Sequence, residues 1–414
     1  MERGRSGAAA RRPRDPRPAG PAVRGARDLT PRTPALDDRA LLARLVGFDT
    51  TSSASNLPLV DFLTGYLDRP GVTLIRDPSE DGRKANLVVC AGAERDDREG
   101  LVLSGHTDVV PANEPEWRTD PFEMMETGDR YVGRGTADMK GFLALAANRV
   151  AALDPSALRR PLCLLLTYDE EVGTLGARRL TQSYAGIDRL PRDVVIGEPT
   201  ELQVVRAHKG MLRLRIGFEG RAAHSGYPHL GRSAIEPAGR AIAALAELRR
   251  EMEGERSAHS ELFPGVPFPA LNVGTVHGGR AANVIADRCE LELGIRLLPG
   301  MPASDMVARV AETVRSAVAG PFSLEQISES PAMVLEEDAS LHRTVSDMMG
   351  QHGSHSVMFT TDAGWLQRAG FQCVVFGPGS IEVAHRPNEF LPIAEFRRAG
   401  QVLDQLIERS CLGS

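Results

Sequence analysis

Four short apolar runs, at residues 87–90, 101–103, 162–167 and 194–196, constrain this chain more than any other feature. Each is too short for a typical helix and is rich in Leu and Val, so each reads as a strand buried on both faces. Helical stretches separate the later ones, including the periodic set Phe142, Leu145, Ala146, Arg149 and Val150. Strands that alternate with helices predict an α/β sheet whose strands run mainly parallel. Open sheets of this kind take their ligands beyond strand ends. His106 and Asp108 fall just past the run that stops at Gly105, and Asp138 sits in a Gly-flanked turn ahead of a helix.

After Lys209-Gly210 the pattern changes. Residues 211–218 alternate, with Leu212, Leu214, Ile216 and Phe218 against Arg213, Arg215 and Gly217, which predicts a strand with one wet face. A helix at 234–249, strands at 271–276 and 290–297, a helix at 304–318 and a strand at 323–327 follow. Two helices against an antiparallel sheet predict an α+β insert with a ferredoxin-like split βαβ topology. The first pattern then resumes with a helix at 339–349, a strand at 373–376 and a closing amphipathic helix through Phe396, Ala399, Leu403, Leu406 and Ile407. Two amphipathic helices, at 38–48 and 57–67, precede the sheet. The division expected is an extension at 1–35, a main domain built from 36–207 and 329–414, and the insert at 208–328.

A chain of 414 residues is too long for one ordinary core, which agrees with that division. Hydrophobic residues at 42% and charged residues at 25% suit a soluble globular protein. No apolar run approaches the roughly 20 residues of a membrane span, and the N-terminus lacks an apolar signal core, so the expected location is cytoplasmic. Residues 1–35 hold nine arginines and three acids, so the net charge of -6 leaves -12 on the remainder. An acidic body gives no reason to expect nucleic-acid binding. The Arg- and Pro-rich extension reads as disordered; it is a solvated tail, an anion-binding arm or a transit segment. Five cysteines, odd in number and far apart in mostly apolar runs, read as buried thiols rather than a disulfide framework.

Acids and histidines cluster at the predicted strand ends: His106 with Asp108, Asp138, Asp169-Glu170-Glu171, Glu198 and His385. Any one cluster alone reads as a solvated turn. Adjacent Glu170 and Glu171 after a buried strand repel each other unless a cation or proton is shared. Imidazole and carboxylate ligands without thiolate suit zinc, with cobalt or manganese as substitutes. A two-metal site needs a carboxylate that reaches both ions, and Asp138 is the candidate.

The segments SGHTDVVP, WRTDPF, GRGTADMKGF, TYDEEVGTLGAR, IGEPTELQVVRAHKG, AHSG, LNVGTVHGGRAANVIADRCELELGIRLLPGM and GPGSIEVAHRPNEF carry a resemblance. Together they resemble the dinuclear zinc aminoacylase and carboxypeptidase family over residues 36–412, most of all its acetylornithine deacetylase branch. The resemblance implies two zinc ions, with His106, Asp138 and Glu198 on one and Glu171, His385 and Asp138 on the other. It implies Asp108 as the carboxylate that orients His106, and Glu170 as general base toward water and leaving amine. It makes the 208–328 insert a lid that forms a homodimer and lends His224 across the interface to the oxyanion; the bland alternative is a surface histidine. Asn283 and Arg296 match substrate-holding positions, although Arg296 at a strand end also suits a structural ion pair. Asp362 either receives a substrate ammonium or caps a turn.

The substrate implied is a small N-acyl amino acid, N2-acetyl-L-ornithine, hydrolysed to L-ornithine and acetate in arginine biosynthesis. The turn Tyr227-Pro228-His229 departs from that branch toward the succinyl-diaminopimelate desuccinylase and carboxypeptidase branches, so desuccinylation or a broader aminoacylase or dipeptidase activity is the alternative. His277-Gly-Gly resembles a serine-hydrolase oxyanion loop, but no GxSxG elbow accompanies it. GTLGARR and GPGS match neither nucleotide-binding fingerprint. A binding protein on the same fold would be expected to have lost a ligand position, and none is lost.

Overall fold

The first described residues already form helix, because Asp37 accepts the N–H of Ala40 and so caps α1 (Asp38–Val46). The computed structural model describes residues 36–92 and 98–413, and the basic extension expected at 1–35 lies outside the described residues. Helix α2 (Leu57–Leu67) has Pro58 in its first turn and buries Leu59, Val60, Leu63 and Leu67. Strands β1 (Val72–Pro78), β2 (Ala85–Ala91) and β3 (Leu101–His106) follow, then a small hairpin of β4 (Met125–Thr127) and β5 (Arg130–Val132). Next come α3 (Gly141–Ala152), β6 (Leu162–Thr167), α4 (Leu175–Ser183), β7 (Asp193–Ile196) and β8 (Val205–His208).

A second unit begins with β9 (Gly210–Glu219) and continues through α5 (Ile235–Glu253), β10 (Ala270–Gly278), β11 (Arg288–Leu297), α6 (Ala303–Ala317) and β12 (Ser323–Ser330). The chain returns as β13 (Met333–Val334), α7 (Ser340–Met349), β14 (His355–Val357), α8 (Ala363–Arg368), β15 (Gln372–Val375), β16 (Phe390–Pro392) and α9 (Ile393–Ile407).

The large sheet has the order β1-β2-β6-β3-β7-β15-β8-β13, with β14 also on β8. Its centre is parallel: β3 pairs with β6 and β7, and β7 with β15. Every residue of β3 and β6 is buried, as expected of strands covered on both faces. The carboxyl ends of β6, β3, β7 and β15 therefore lie side by side. His106 stands opposite Thr167 in register, and Ser104 opposite Ile196. Strand β3 runs three residues further than the apolar run at 101–103, so His106 is its last residue rather than the first of a loop.

In the second sheet the order is β10-β11-β9-β12, all antiparallel. That order and the succession of strands and helices make it ferredoxin-like. Leu212, Leu214, Ile216 and Phe218 bury one face against α5 and α6. On the other face Arg215 meets Glu290 at 3.2 Å, Glu292 at 2.8 Å and Glu325 at 3.3 Å, which accounts for the alternation in the sequence.

The cysteine expectation is corrected. Cys289, Cys373 and Cys411 are free and buried, but Cys90 and Cys163 form a disulfide. They face each other in the antiparallel register of β2 and β6, a juxtaposition that cysteine spacing does not reveal. No helix among the described residues is long and apolar enough to cross a membrane.

Candidate metal centre

Three neighbouring strand ends, one returning loop and the bend before α3 deliver the acids and histidines to one place. His106 closes β3, and Glu170 and Glu171 follow β6 through the left-handed residue Asp169. Glu198 follows β7, and His385 arrives on the segment between β15 and β16. Asp138 comes from the bend just before α3. The packing here is tight: a Cβ added at Gly105 would lie 2.3 Å from Met139 Cε and 2.9 Å from Leu143 Cδ2.

The contacts form a chain that alternates acid and imidazole. His106 Nε2 lies 3.9 Å from Glu198 Oε1 and 2.9 Å from Asp138 Oδ1. The other oxygen of Asp138, Oδ2, lies 3.2 Å from His385 Nε2, which in turn is 3.0 Å from Glu171 Oε2. Asp138 thus divides its two oxygens between two histidines, the disposition of a carboxylate shared by two centres. Two sets of donor atoms, from His106, Glu170 and Glu198 and from His106, Asp138 and Glu171, each fall within 4.8 Å of one another. His385 is exposed and marks the open side of the cluster.

Electrostatics make the same point. Burial, then the charge of Glu198, holds Glu170 well above the usual carboxylate range. Burial and the Asp138 charge do the same to Glu198 and lift Glu171 to about 7. Burial would also raise Asp138, but hydrogen bonds from His106 and His385 outweigh it and hold it low. His385 is raised to about 10 by Asp138 and Glu171. Four crowded carboxylates thus draw positive charge inward, and a divalent cation is the natural counterion for such a donor set. The residues fit metal.

The imidazole of His106 is oriented by main chain: its Nδ1 lies 2.9 Å from the carbonyl oxygen of Asp108. A carbonyl only accepts, so Nδ1 carries the proton and Nε2 faces the cluster. The carboxylate of Asp108, expected to orient this ring, lies 3.7 Å away. It instead accepts the N–H of Glu170 (3.1 Å), the N–H of Glu171 (3.3 Å) and the hydroxyl of Ser52 (2.7 Å), and so braces the turn between the paired glutamates.

Asp362 is buried near these groups; Thr167 donates to its Oδ2 at 2.6 Å, while Oδ1 is buried without a hydrogen-bond partner among the described residues. Burial pushes it up to about 6. It sits at the start of α8 but its side chain makes no cap. Arg296 is the last residue but one of β11 and donates to Thr360 Oγ1 at 3.0 Å; among the described residues no carboxylate pairs with it. The charge of Glu170 still bears on it. His224 and Asn283 are exposed, lie on two segments joined by Ser225 N–H to Asn283 O (3.0 Å), and make no hydrogen bond to the cluster among the described residues. Gly226 N–H donates to His224 Nδ1 at 3.0 Å, which leaves Nε2 as the outward donor.

Residues outside the sequence reading also belong here. Lys84 pairs with Asp169, and Glu389 accepts the backbone of the Asp138 loop. Lys84 lies just ahead of the strand at 87–90, and Glu389 lies within the segment GPGSIEVAHRPNEF, four residues after His385, which was the available signal.

Known proteins bear on this geometry. The sequence profile of peptidase family M20/M25/M40 matches residues 102–409. The chain is 36% identical to an acetylornithine deacetylase of Proteus mirabilis over 88% of this chain and 92% of that protein. It is also 36% identical to one of Myxococcus xanthus over 92% and 98%. Among solved structures, an M20 family metallo-carboxypeptidase of Sulfolobus solfataricus, Sso-CP2, superposes with TM-score 0.72 at 17% identity, covering 90% of this chain and 98% of that one. Aminopeptidase PepT of Bacillus cereus superposes with TM-score 0.68 at 19% identity, covering 91% and 99%.

Proposed function

This chain belongs to peptidase family M20/M25/M40, and on that footing we propose that it is a metal-dependent amidohydrolase that deacylates N2-acetyl-L-ornithine to L-ornithine and acetate. The observation that carries the reading is the contact series Glu198, His106, Asp138, His385 and Glu171, in which Asp138 contacts both histidines. In this reading His106, Asp138 and Glu198 hold one zinc ion and Glu171, His385 and Asp138 the other, cobalt or manganese serving as substitutes. When bound, such a pair polarises the acyl carbonyl and acidifies water.

Glu170 is the general base. It is not needed as a ligand, and its raised affinity for a proton suits a group that takes one from the attacking water and returns it to the leaving amine nitrogen. The Asp108 carboxylate keeps the main chain of Glu170 and Glu171 fixed while their side chains diverge. His224, with Nε2–H directed outward, donates to the oxyanion of the tetrahedral state. Arg296, free of any acidic partner among the described residues, takes the substrate α-carboxylate by a forked pair of hydrogen bonds, while Asn283, in the β10–β11 loop next to His224, holds substrate from that side. The unpartnered oxygen of Asp362 is the acceptor for the ornithine ammonium.

Because His224 makes no bond to the cluster of its own chain, the reading includes a homodimer through residues 208–328. The edge strand β10 and the exposed apolar side chains Tyr227 (59% exposed), Leu230 (55%) and Val276 (50%) support that interface. The substrate class, an intermediate of arginine biosynthesis, assigns the enzyme to the cytoplasm.

A panel of N-acetyl, N-succinyl and dipeptide substrates tests the assignment, with and without chelator. N-acetylornithine should be the best substrate, and chelation should abolish turnover until Zn2+ or Co2+ is restored. An inert N-acetylornithine would overturn the substrate, and chelator-insensitive turnover the metal chemistry.

A further inference from the structure

We propose that Glu389 is a positioning residue that fixes Asp138 relative to His106 and His385 and thereby sets the affinity for the two cations that share it. The inference rests on the reading of Asp138 and His385 as ligands. The side chain of Glu389 has no solvent exposure. Its Oε1 accepts the N–H groups of Ala137 (2.8 Å) and Asp138 (3.0 Å). Its Oε2 accepts the N–H of Gly135 (3.0 Å) and Arg134 Nη1 (2.8 Å). Its own carbonyl accepts the N–H of Gly133 at 3.0 Å, next to the pairing of β16 with β5.

A carboxylate buried for packing alone would be satisfied by one cation, and Arg134 is already there. The other three bonds go to the main chain that leads into Asp138. Turning the Asp138 backbone would break charge-assisted bonds in a site closed to water, where they are strongest. Arg134, itself buried, also donates to the carbonyls of Arg386 (3.4 Å) and Pro111 (3.0 Å). The segment is fastened a second time by Asn388, whose Oδ1 accepts Arg118 N at 2.9 Å and whose Nδ2 donates to Glu116 O at 2.8 Å. The ion pair therefore joins the loop after His106, the loop of Asp138 and the segment after His385.

Glu389→Gln keeps the shape but turns one oxygen into a donor that faces N–H groups. Metal-depleted full-length protein titrated with Co2+ alone, followed by absorption, should bind two ions. In the variant, circular dichroism should be unchanged and both Co2+ ions, which share Asp138, should bind about 10- to 100-fold more weakly. With limiting Co2+ kcat should fall while KM holds, and excess Co2+ should restore kcat. A merely structural glutamate would lower thermal stability and leave both Co2+ affinities alone, and that result overturns the inference. Should Glu389→Gln not fold, amide hydrogen exchange on metal-depleted wild type decides: Gly135, Ala137 and Asp138 should be protected, and rapid exchange there overturns it. Wild type that binds no Co2+ refutes the metal reading itself, whereas normal wild-type binding with an unaffected variant refutes only Glu389.

Discussion

Two substitutions, His224→Ala and Glu170→Ala, remove groups that the proposed reaction draws from different subunits. Loss of one oxyanion donor costs about 10²- to 10³-fold in kcat, and loss of a general base about 10²- to 10⁴-fold. Either homodimer alone should thus be nearly inactive while retaining its metal ligands. When the two are co-expressed in equal amounts, random pairing makes about half of the dimers mixed. In a mixed dimer the His224→Ala subunit keeps its own Glu170 and receives the partner's His224, so that site works. The other site lacks both the base and the donor. The mixture should recover about one quarter of wild-type turnover, and mixed dimers isolated with two affinity tags about one half. The argument stands on geometry: His224 is exposed, and among the described residues its ring is hydrogen-bonded only within its own turn, by Gly226 N–H. Amine release from N-acetylornithine reads the outcome, with KM measured alongside. A mixture no more active than the mean of its two parents would show that His224 serves its own subunit or none.

Two other perturbations follow from single contacts. His208 is buried, with Nδ1 on the Lys209 carbonyl at 3.0 Å and Nε2 on Thr361 Oγ1 at 3.1 Å, and burial lowers it from 6.5 to about 4. The unfolded chain takes up a proton first, so stability present above pH 6.5 is lost as pH falls toward 4, about 2 kcal/mol of it between pH 7 and 5. Denaturant titrations of His208→Gln should show that much less loss over the same interval; an equal loss refutes the assignment. Asp108→Asn sets an amide donor against N–H groups at a cost of about 1–3 kcal/mol. It should reduce kcat/KM by about 10- to 100-fold, and an unchanged kcat/KM would mean the Glu170-Glu171 turn holds without this brace.

Much of the architecture was legible because buried parallel strands are written as short apolar runs. Polar residues at the ends of β3, β6 and β7 converge on one site because those strands are neighbours, which the runs alone do not state. Strand β8 escaped notice, since its sequence VRAH looks exposed; Arg206 is buried there by donating to the Leu335 carbonyl and to Ser354. Strand β1, VTLIRDP, is a half-exposed edge with a weak pattern. The roles of the two atoms of Asp108, carbonyl and carboxylate, depend on a loop conformation that no residue type encodes. Cys90 with Cys163, and Glu389 with residues 133–138, are partnerships across long separations, fixed only when the sheet and the small hairpin have paired.

Strand β15 lies between β7 and β8, which precede it in the chain by an entire unit. A ribosome must make roughly 160 more residues after β8, about 10–30 s at ordinary elongation rates, before β15 emerges. Throughout that interval the apolar edge of β7 waits beside a slot that must stay unfilled by any other strand. The nascent chain is therefore a natural client for chaperones, and premature termination anywhere in the second unit leaves a sheet split in two.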